Sequence, residues 1–363
     1  MPGKTVLVSD FDYELPDELV AQEAAPRGAS RLLVLDRVTG KTTHTVFSDL
    51  VSYLRPGDLL VVNDTRVFPA RLLGRRAPSG GAVECLLLER IERPATADAG
   101  QPGQYWMALV HPGQKLKPGA RMRFEGTAGA LLAGILERRF HGRRSIRLWA
   151  ESGSGTVEDL IDALGHVPLP PYIRRVDTEA DRERYQTVYA SRRGSIAAPT
   201  AGLHFTPELL ESLARHGVQR VNVTLHVGYG TFKPVRSDVV EEHVVDPECY
   251  DIGEAAAHAI DAARSEGRRV VAVGTTTTRA LEDSAARHGG RVVAGQETAT
   301  LFIHPGFRFQ VVDGLLTNFH LPRSSLLMLV AAFAGRERVL AAYREAVELR
   351  YGFYSYGDAM LVV

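Results

Sequence analysis

The chain has 363 residues, 45% hydrophobic and 24% charged, and its 43 basic and 43 acidic side chains cancel. Such a length accommodates one large core or two domains, and the balanced charge leaves any case for a polyanionic partner to local patches. Two cysteines, Cys85 and Cys249, far apart and without CxxC spacing, argue against a disulfide framework or a zinc cluster and suit a reducing compartment.

The opening "MPGKTVLVSDFDYELP" has no apolar core of signal-peptide length, and the longest apolar run, Leu326 to Ala334, is half a membrane span. The expectation is a soluble cytoplasmic protein. From about residue 59 to 150 short apolar runs alternate with turn residues: "DLLVVN", "ARLLGRR", "AVECLLLERI", "QYWMALVHPG", "ARMRF", "AGALLAGILERR" and "RSIRLWA". Closely spaced strands without a convincing helix predict an antiparallel sandwich or small barrel. "ERPATADAGQPGQ", residues 92 to 104, reads as an exposed hairpin loop.

After residue 155 helices and strands alternate. "VEDLIDALG" predicts a short helix ending at Gly165. "TPELLESLARHG" predicts a second, with Thr206 as N-cap, Pro207 in the first turn and Gly217 as the stop. "VQRVNVTLHVG" reads as a strand, "GEAAAHAIDAARSEG" as a helix, and "RRVVAVG" as a strand buried on both faces that leads into the helix "TTTTRALEDSAARHGG". "ATLFI" reads as a strand, "SSLLMLVAAFAG" and "RERVLAAYREAVEL" as helices, and "GDAMLVV" as a final strand. This alternation predicts a largely parallel sheet covered on both faces. The first 60 residues are mixed and either join that body or form a third unit; joining it makes the all-β stretch an insertion.

Dinucleotide, P-loop and HExxH fingerprints are absent from the sequence. What stands out is a series of polar clusters at the carboxyl ends of predicted strands, where α/β sheets bind ligands. They are "APTAGLHFT" with Thr200, His204 and Thr206; "NVTLHVGYGTFKPV" with His226, Gly228, Tyr229, Gly230, Thr231 and Lys233; "VVAVGTTTTRALE" with Thr275 to Thr278 and Arg279; "DGLLTNFHLPRSSLLML" with Thr317, Asn318, His320, Arg323 and Ser324; and "YGFYSYGDAML" with three tyrosines and Asp358. Singly, each is an ordinary helix cap or structural histidine. Their recurrence in four successive strand-to-helix turns exceeds what capping requires, and a helix N-terminus such as that at Thr275 suits an anion or carboxylate. Arginine-dense strings, "ARLLGRR", "ERRFHGRRSIR", "PPYIRR" and "VYASRRGS", with Tyr172, Tyr185 and Tyr189 among the last two, suit phosphate contacts with base stacking.

Taken in order, "FDYELP", "RLLVLDR", "VVNDTRVFPARLLG", "AAPTAGLHFT", "LHVGYGTFKPV", "VGTTTTRALE", "TNFHLPRSSLLMLVAAFAG" and "YGFYSYGDAML" resemble the S-adenosylmethionine:tRNA ribosyltransferase-isomerases of queuosine biosynthesis. The resemblance implies an enzyme that uses S-adenosylmethionine as a ribosyl donor, consumed as a substrate, with no cofactor or metal. The acceptor is the aminomethyl group of 7-aminomethyl-7-deazaguanine at a tRNA wobble position, the product is epoxyqueuosine, and adenine and methionine leave. The implied fold is a mixed, largely parallel α/β body, open and barrel-like, over 1–66 and 156–363, with an antiparallel β-barrel inserted over 67–155. A monomer is expected.

Such chemistry needs a base for the acidified C5′ proton, which neutral histidine supplies, so His204 and His226 are the candidates. Thr200, Tyr229, Thr275, Thr276, Thr277, Arg279, Asn318, His320 and Arg323 are candidates for S-adenosylmethionine. Tyr172, Arg174, Arg175, Arg192 and Arg193 are candidates for tRNA. A noncatalytic RNA-binding module explains the Arg–Tyr segments but not the polar turns, and a methyltransferase normally carries a glycine-rich loop after its first strand, which is missing.

Overall fold

The computed structural model describes residues 5–95, 97, 102–232 and 234–363. Lys233, the Thr231 side chain and part of the loop expected over 92–104 lie outside the described residues. In chain order the strands of the first half are β1 (Arg31–Leu35), β2 (Thr42–Val46), β3 (Leu59–Asn63), β4 (Thr65–Val67), β5 (Arg71–Ala77), β6 (Ala82–Ile91), β7 (Gln104–His111), β8 (Arg121–Gly126), β9 (Gly129–Arg138) and β10 (Arg143–Ala150). After them come α1 (Val157–Leu164), α2 (Glu179–Arg184), β11 (Arg192–Ser195), α3 (Pro207–Arg215), β12 (Gln219–Leu225), β13 (Glu248–Ile252), α4 (Glu254–Ser265), β14 (Val270–Val273) and α5 (Thr275–Arg287). The chain ends with β15 (Gly295–Ala299), β16 (Gly314–Asn318), α6 (Ser325–Ala334), α7 (Arg336–Glu348) and β17 (Ala359–Val362). Among the described residues no helix is long and apolar enough to cross a membrane.

The body is a nine-stranded mixed sheet in the order β15-β13-β12-β3-β14-β16-β17-β1-β2. Its centre, β12-β3-β14-β16, is parallel throughout. β3 reads "LLVVN" and is buried at every position, the mark of a strand covered on both faces. Alternation along it sends Leu59 and Val61 into one core and Leu60 and Val62 into another. The first core is closed by α4 to α7 through Ile260, Leu281, Leu327 and Val339. The second is closed by Phe47, Leu50, Phe205 and Leu209. The N-terminal segment joins this body, since β1 pairs with β17 in parallel and with β2 in antiparallel.

Six antiparallel strands form a closed barrel in the order β10-β7-β6-β5-β8-β9. Inward residues such as Leu72, Leu87, Met122, Phe124 and Leu131 fill it, and α1 seals one end with Leu160 and Ile161. A two-stranded parallel ladder of β4 and β11 stands where the chain enters the barrel. The run "DLLVVN", grouped by pattern with the barrel strands, belongs to the main sheet as β3.

Local signals account for the elements around the site. Thr206 caps α3 through Leu209 N at 3.1 Å, with Pro207 in the first turn and Gly217 at φ 89° past the end. The strand expected at "ATLFI" is displaced: β15 ends at Ala299, and the amides of Thr300 and Leu301 donate to the buried Asp283 carboxylate at 3.1 Å instead of to a neighbouring strand. A carboxylate that takes two consecutive amides ends a ladder as firmly as a turn does.

Candidate active site at the carboxyl edge of the parallel strands

Because β12, β3, β14 and β16 run parallel, their carboxyl ends fall on one edge. That edge gathers Asn63 and Asp64, His226, Gly274 with the start of α5, and Thr317 to His320. Gly274 has φ 92°, a conformation that side chains avoid, and the turn it permits lets α5 begin directly at the sheet. α5 has no side-chain cap, so its first amides and positive dipole end open towards the cleft.

Two adjoining hollows share this helix start. One, of about 710 Å³, is lined by Tyr172, Thr200, Thr275, Thr276, Asn318 and His320 among others. The other, of about 550 Å³, is lined by Thr275, Thr276, Arg279, His243, Asp246 and Glu248. A third, of about 1540 Å³, lies between barrel and body and is lined by His226, Tyr229, Arg193, Trp106 and Phe68, with Asp246 and Glu248 in common with the second.

The two candidate histidines occupy different environments. His226 is partly buried, and its Nδ1 lies 2.7 Å from Thr65 Oγ1. A neutral imidazole protonated on Nδ1 donates to that hydroxyl, which has the carbonyl of Arg192 at 3.5 Å, and carries its lone pair on Nε2. Burial lowers its pKa below the ordinary 6.5, with Asp64 opposing. A Cβ on Gly194 would meet the imidazole Cε1 at 2.6 Å, so the ring is clamped between Thr65 and the Gly194 backbone. Asp64 is itself held by Thr224 at 2.6 Å and Ser191 at 2.8 Å.

His204 does not line any of these hollows. It is 4% exposed, packs against Phe47 at 5.0 Å between ring centroids, and its Nδ1 lies 2.9 Å from Ser30 Oγ. Burial lowers its pKa to about 4. It sits beneath the site wall as a neutral core histidine. His320 lines the first hollow, but its Nε2 is engaged by Thr317 Oγ1 at 2.8 Å, and burial lowers its pKa to about 3.

Among the threonines, Thr275 and Thr276 face the cleft, whereas Thr277 is fully buried and donates to Val273 O at 2.7 Å. Arg279 borders the second hollow with its donors already committed. Nη1 meets Glu248 at 2.7 Å, Nε meets Leu301 O at 3.0 Å, and Nη2 meets the carbonyls of Asp246 and Ala299 at 2.7 and 2.8 Å. The guanidinium braces the cleft wall and has no fork left for a ligand carboxylate. Arg323 turns outward at φ 57° and pairs with Asp12; its neighbour Ser324 lines the cleft instead.

The residues expected to meet tRNA also divide. Tyr172 is a cleft residue, stacked on Tyr354 at 4.3 Å with its hydroxyl 2.6 Å from Ser355 Oγ. Arg175 makes a bidentate pair with the buried Asp181 at 2.6 and 2.8 Å, and with Tyr356 at 2.8 Å this holds the Asp181 carboxyl far below the usual range despite its burial. Arg174 and Arg192 are exposed. Arg193 pairs with Asp162 at 2.7 Å at the rim of the interdomain hollow. The sequence placed Tyr354 in a polar cluster without a role, and it did not single out Ser355, Glu248 or the Asn63–Thr65 turn. The strings "YGFYSYGD" and "VVNDTRV" contain most of them, but their place at the edge follows only from strand order.

The family model described as queuosine biosynthesis protein matches residues 8–362. A Heliobacterium modesticaldum S-adenosylmethionine:tRNA ribosyltransferase-isomerase is 53% identical over 357 residues, covering 98% of this chain and 99% of the relative. One from Pelotomaculum thermopropionicum is 51% identical over 358 residues, with the same coverage. The crystal structure of a Thermotoga maritima S-adenosylmethionine tRNA ribosyltransferase is 40% identical, covers 98% of this chain and 100% of its own, and superposes with a TM-score of 0.52. The chain belongs to the queuosine biosynthesis protein family, whose relatives are S-adenosylmethionine:tRNA ribosyltransferase-isomerases.

Proposed function

We propose that this chain is an S-adenosylmethionine:tRNA ribosyltransferase-isomerase that works at the edge described above. The observation that carries the reading is the partly buried imidazole of His226, held at Nδ1 by Thr65 and lining the hollow where barrel and body meet. The sulfonium acidifies the C5′ proton of the ribosyl group, and Nε2 of His226 removes it. The nucleoside end fits the hollow of Tyr172, Asn318 and His320, and the methionine carboxylate fits the open N-terminus of α5 beside Thr275 and Thr276. The substrate amine enters from the barrel side, past Tyr229 and Arg193, carried by 7-aminomethyl-7-deazaguanine at the wobble position of tRNA. Epoxyqueuosine-tRNA, adenine and methionine are the products. S-Adenosylmethionine is consumed as a substrate, and the reading calls for no metal or other cofactor. The enzyme acts as a monomer in the cytoplasm.

The test is incubation with S-adenosylmethionine and tRNA bearing the deazaguanine precursor. Adenine and methionine in equal amounts support the reading. S-Adenosylhomocysteine would mean methyl transfer, and tRNA binding without turnover would mean a binding module.

A further inference from the structure

At the tip of the β9–β10 hairpin Phe140 is 88% exposed, the most exposed large apolar side chain among the described residues. Scattered exposed apolar residues are ordinary on a folded surface, but this one is presented by a built tip. Phe140–Gly142 form a single 3-10 turn in which His141 takes φ 57°, the left-handed region that non-glycine residues rarely occupy. The base of the turn is bolted down by Arg144, itself 6% exposed, which donates to the carbonyls of Gly142 at 2.8 Å, Arg143 at 3.0 Å and Gly113 at 3.2 Å. Arg143 reaches Asp246 of the body at 3.1 Å, and both line the hollow that contains His226. The turn is therefore braced at its base and presents an aromatic ring three residues from Arg143, which lines the site.

Its surroundings are cationic. Arg138 and Arg139 precede Phe140 and are exposed; Arg139 has one acidic partner, Glu137, at 2.5 Å. An exposed ring beside guanidinium groups is the arrangement that binds unpaired bases: the ring supplies a π-face and the arginines meet the flanking phosphates. We propose that this hairpin tip is an RNA-docking element, with Phe140 stacking on an unpaired base of the tRNA substrate and Arg138 and Arg139 contacting the adjacent backbone. The inference rests on the tRNA-modifying reading above and adds to it a recognition surface on the barrel.

The test compares the full-length protein with Phe140→Ala and Phe140→Trp. The tRNA KM is measured in the adenine-release assay, and direct affinity is measured with a fluorescently labelled anticodon stem–loop. Phe140→Ala is expected to weaken both by roughly 5- to 150-fold, the range for loss of one base–aromatic stack, while the S-adenosylmethionine KM and the Tm stay at wild-type values. Phe140→Trp is expected to keep wild-type affinity, and Arg138→Gln to reduce the salt dependence of binding by about one ion. Unchanged stem–loop affinity in Phe140→Ala overturns the proposal. So does equal weakening by Ala and Trp, or loss of self-association in place of RNA affinity. If the wild-type protein releases no adenine but binds the stem–loop through Phe140, the enzymatic reading fails while the docking surface stands.

Discussion

Thr65 Oγ1 lies 2.7 Å from Nδ1 of His226, and this contact decides which imidazole nitrogen faces the cleft. When Nδ1 donates its proton to the threonine, Nε2 is the basic atom. Thr65→Val removes the acceptor and frees the tautomer. Losing one such hydrogen bond, worth about 1.4 kcal/mol, corresponds to about a tenfold fall in kcat for adenine release, with the S-adenosylmethionine KM little changed. His226→Gln is expected to lose nearly all turnover. Native single-turnover rates in His226→Gln would remove His226 from the base role.

The pH profile follows from the same residue. A base works when neutral, and burial lowers the His226 pKa below its ordinary 6.5. The acid limb of kcat/KM for the free enzyme should therefore fall at a pH below 6.5, and activity should be level from there through neutrality. A limb above 6.5 would assign it to another group.

His204 should act on stability and not on chemistry. Its pKa is about 4 in the fold against 6.5 when unfolded. Between those values the unfolded chain binds the extra proton, so stability rises with pH. The contribution is fully present above pH 6.5 and is lost as pH falls towards 4, roughly 3 kcal/mol in all. His204→Leu should flatten the fall in Tm between pH 6.5 and 4.5 while keeping measurable adenine release at neutral pH.

Arg279 and Arg175 are predicted to behave as braces. Each pairs with a buried carboxylate, Glu248 and Asp181 respectively. Truncating one member of a buried pair leaves an uncompensated charge and costs about 3–5 kcal/mol. Arg279→Ala and Arg175→Ala should lower the denaturant midpoint by a corresponding amount. Arg192→Ala, on an exposed side chain, should leave it within experimental error. A tRNA-affinity loss in Arg175→Ala without a stability loss would show that the Asp181 pair is not what matters.

Much of the fold was legible because its signals are local. The cap at Thr206, the Gly217 stop and the doubly buried "VVAV" of β14 each specify their own element. The convergence of polar strand ends was also legible, since parallel strands must end on one edge. What the sequence left open depends on depth and partners. Nothing in "APTAGLHFT" or "NVTLHVGYG" distinguishes a histidine beneath the wall from one in the opening. That difference is made by Phe47 and Ser30 closing over His204, and by Gly194 and Thr65 framing His226. The engagement of Arg279 was hidden for a related reason. It follows a helix start that suits an anion, but two of the acceptors that occupy it, the Glu248 carboxylate and the Asp246 backbone carbonyl, come from more than 30 residues earlier in the chain.

The short ladder of β4 and β11 has a mechanical consequence. One of its strands supplies Thr65 and the other Gly194, the two contacts that grip the imidazole. β4 is also the last strand before the chain departs into the barrel. The segment from Val67 to Arg71 ties that jaw directly to the first barrel strand. The aim of the imidazole is thus coupled by covalent chain to the barrel's position, through a segment only a few residues long.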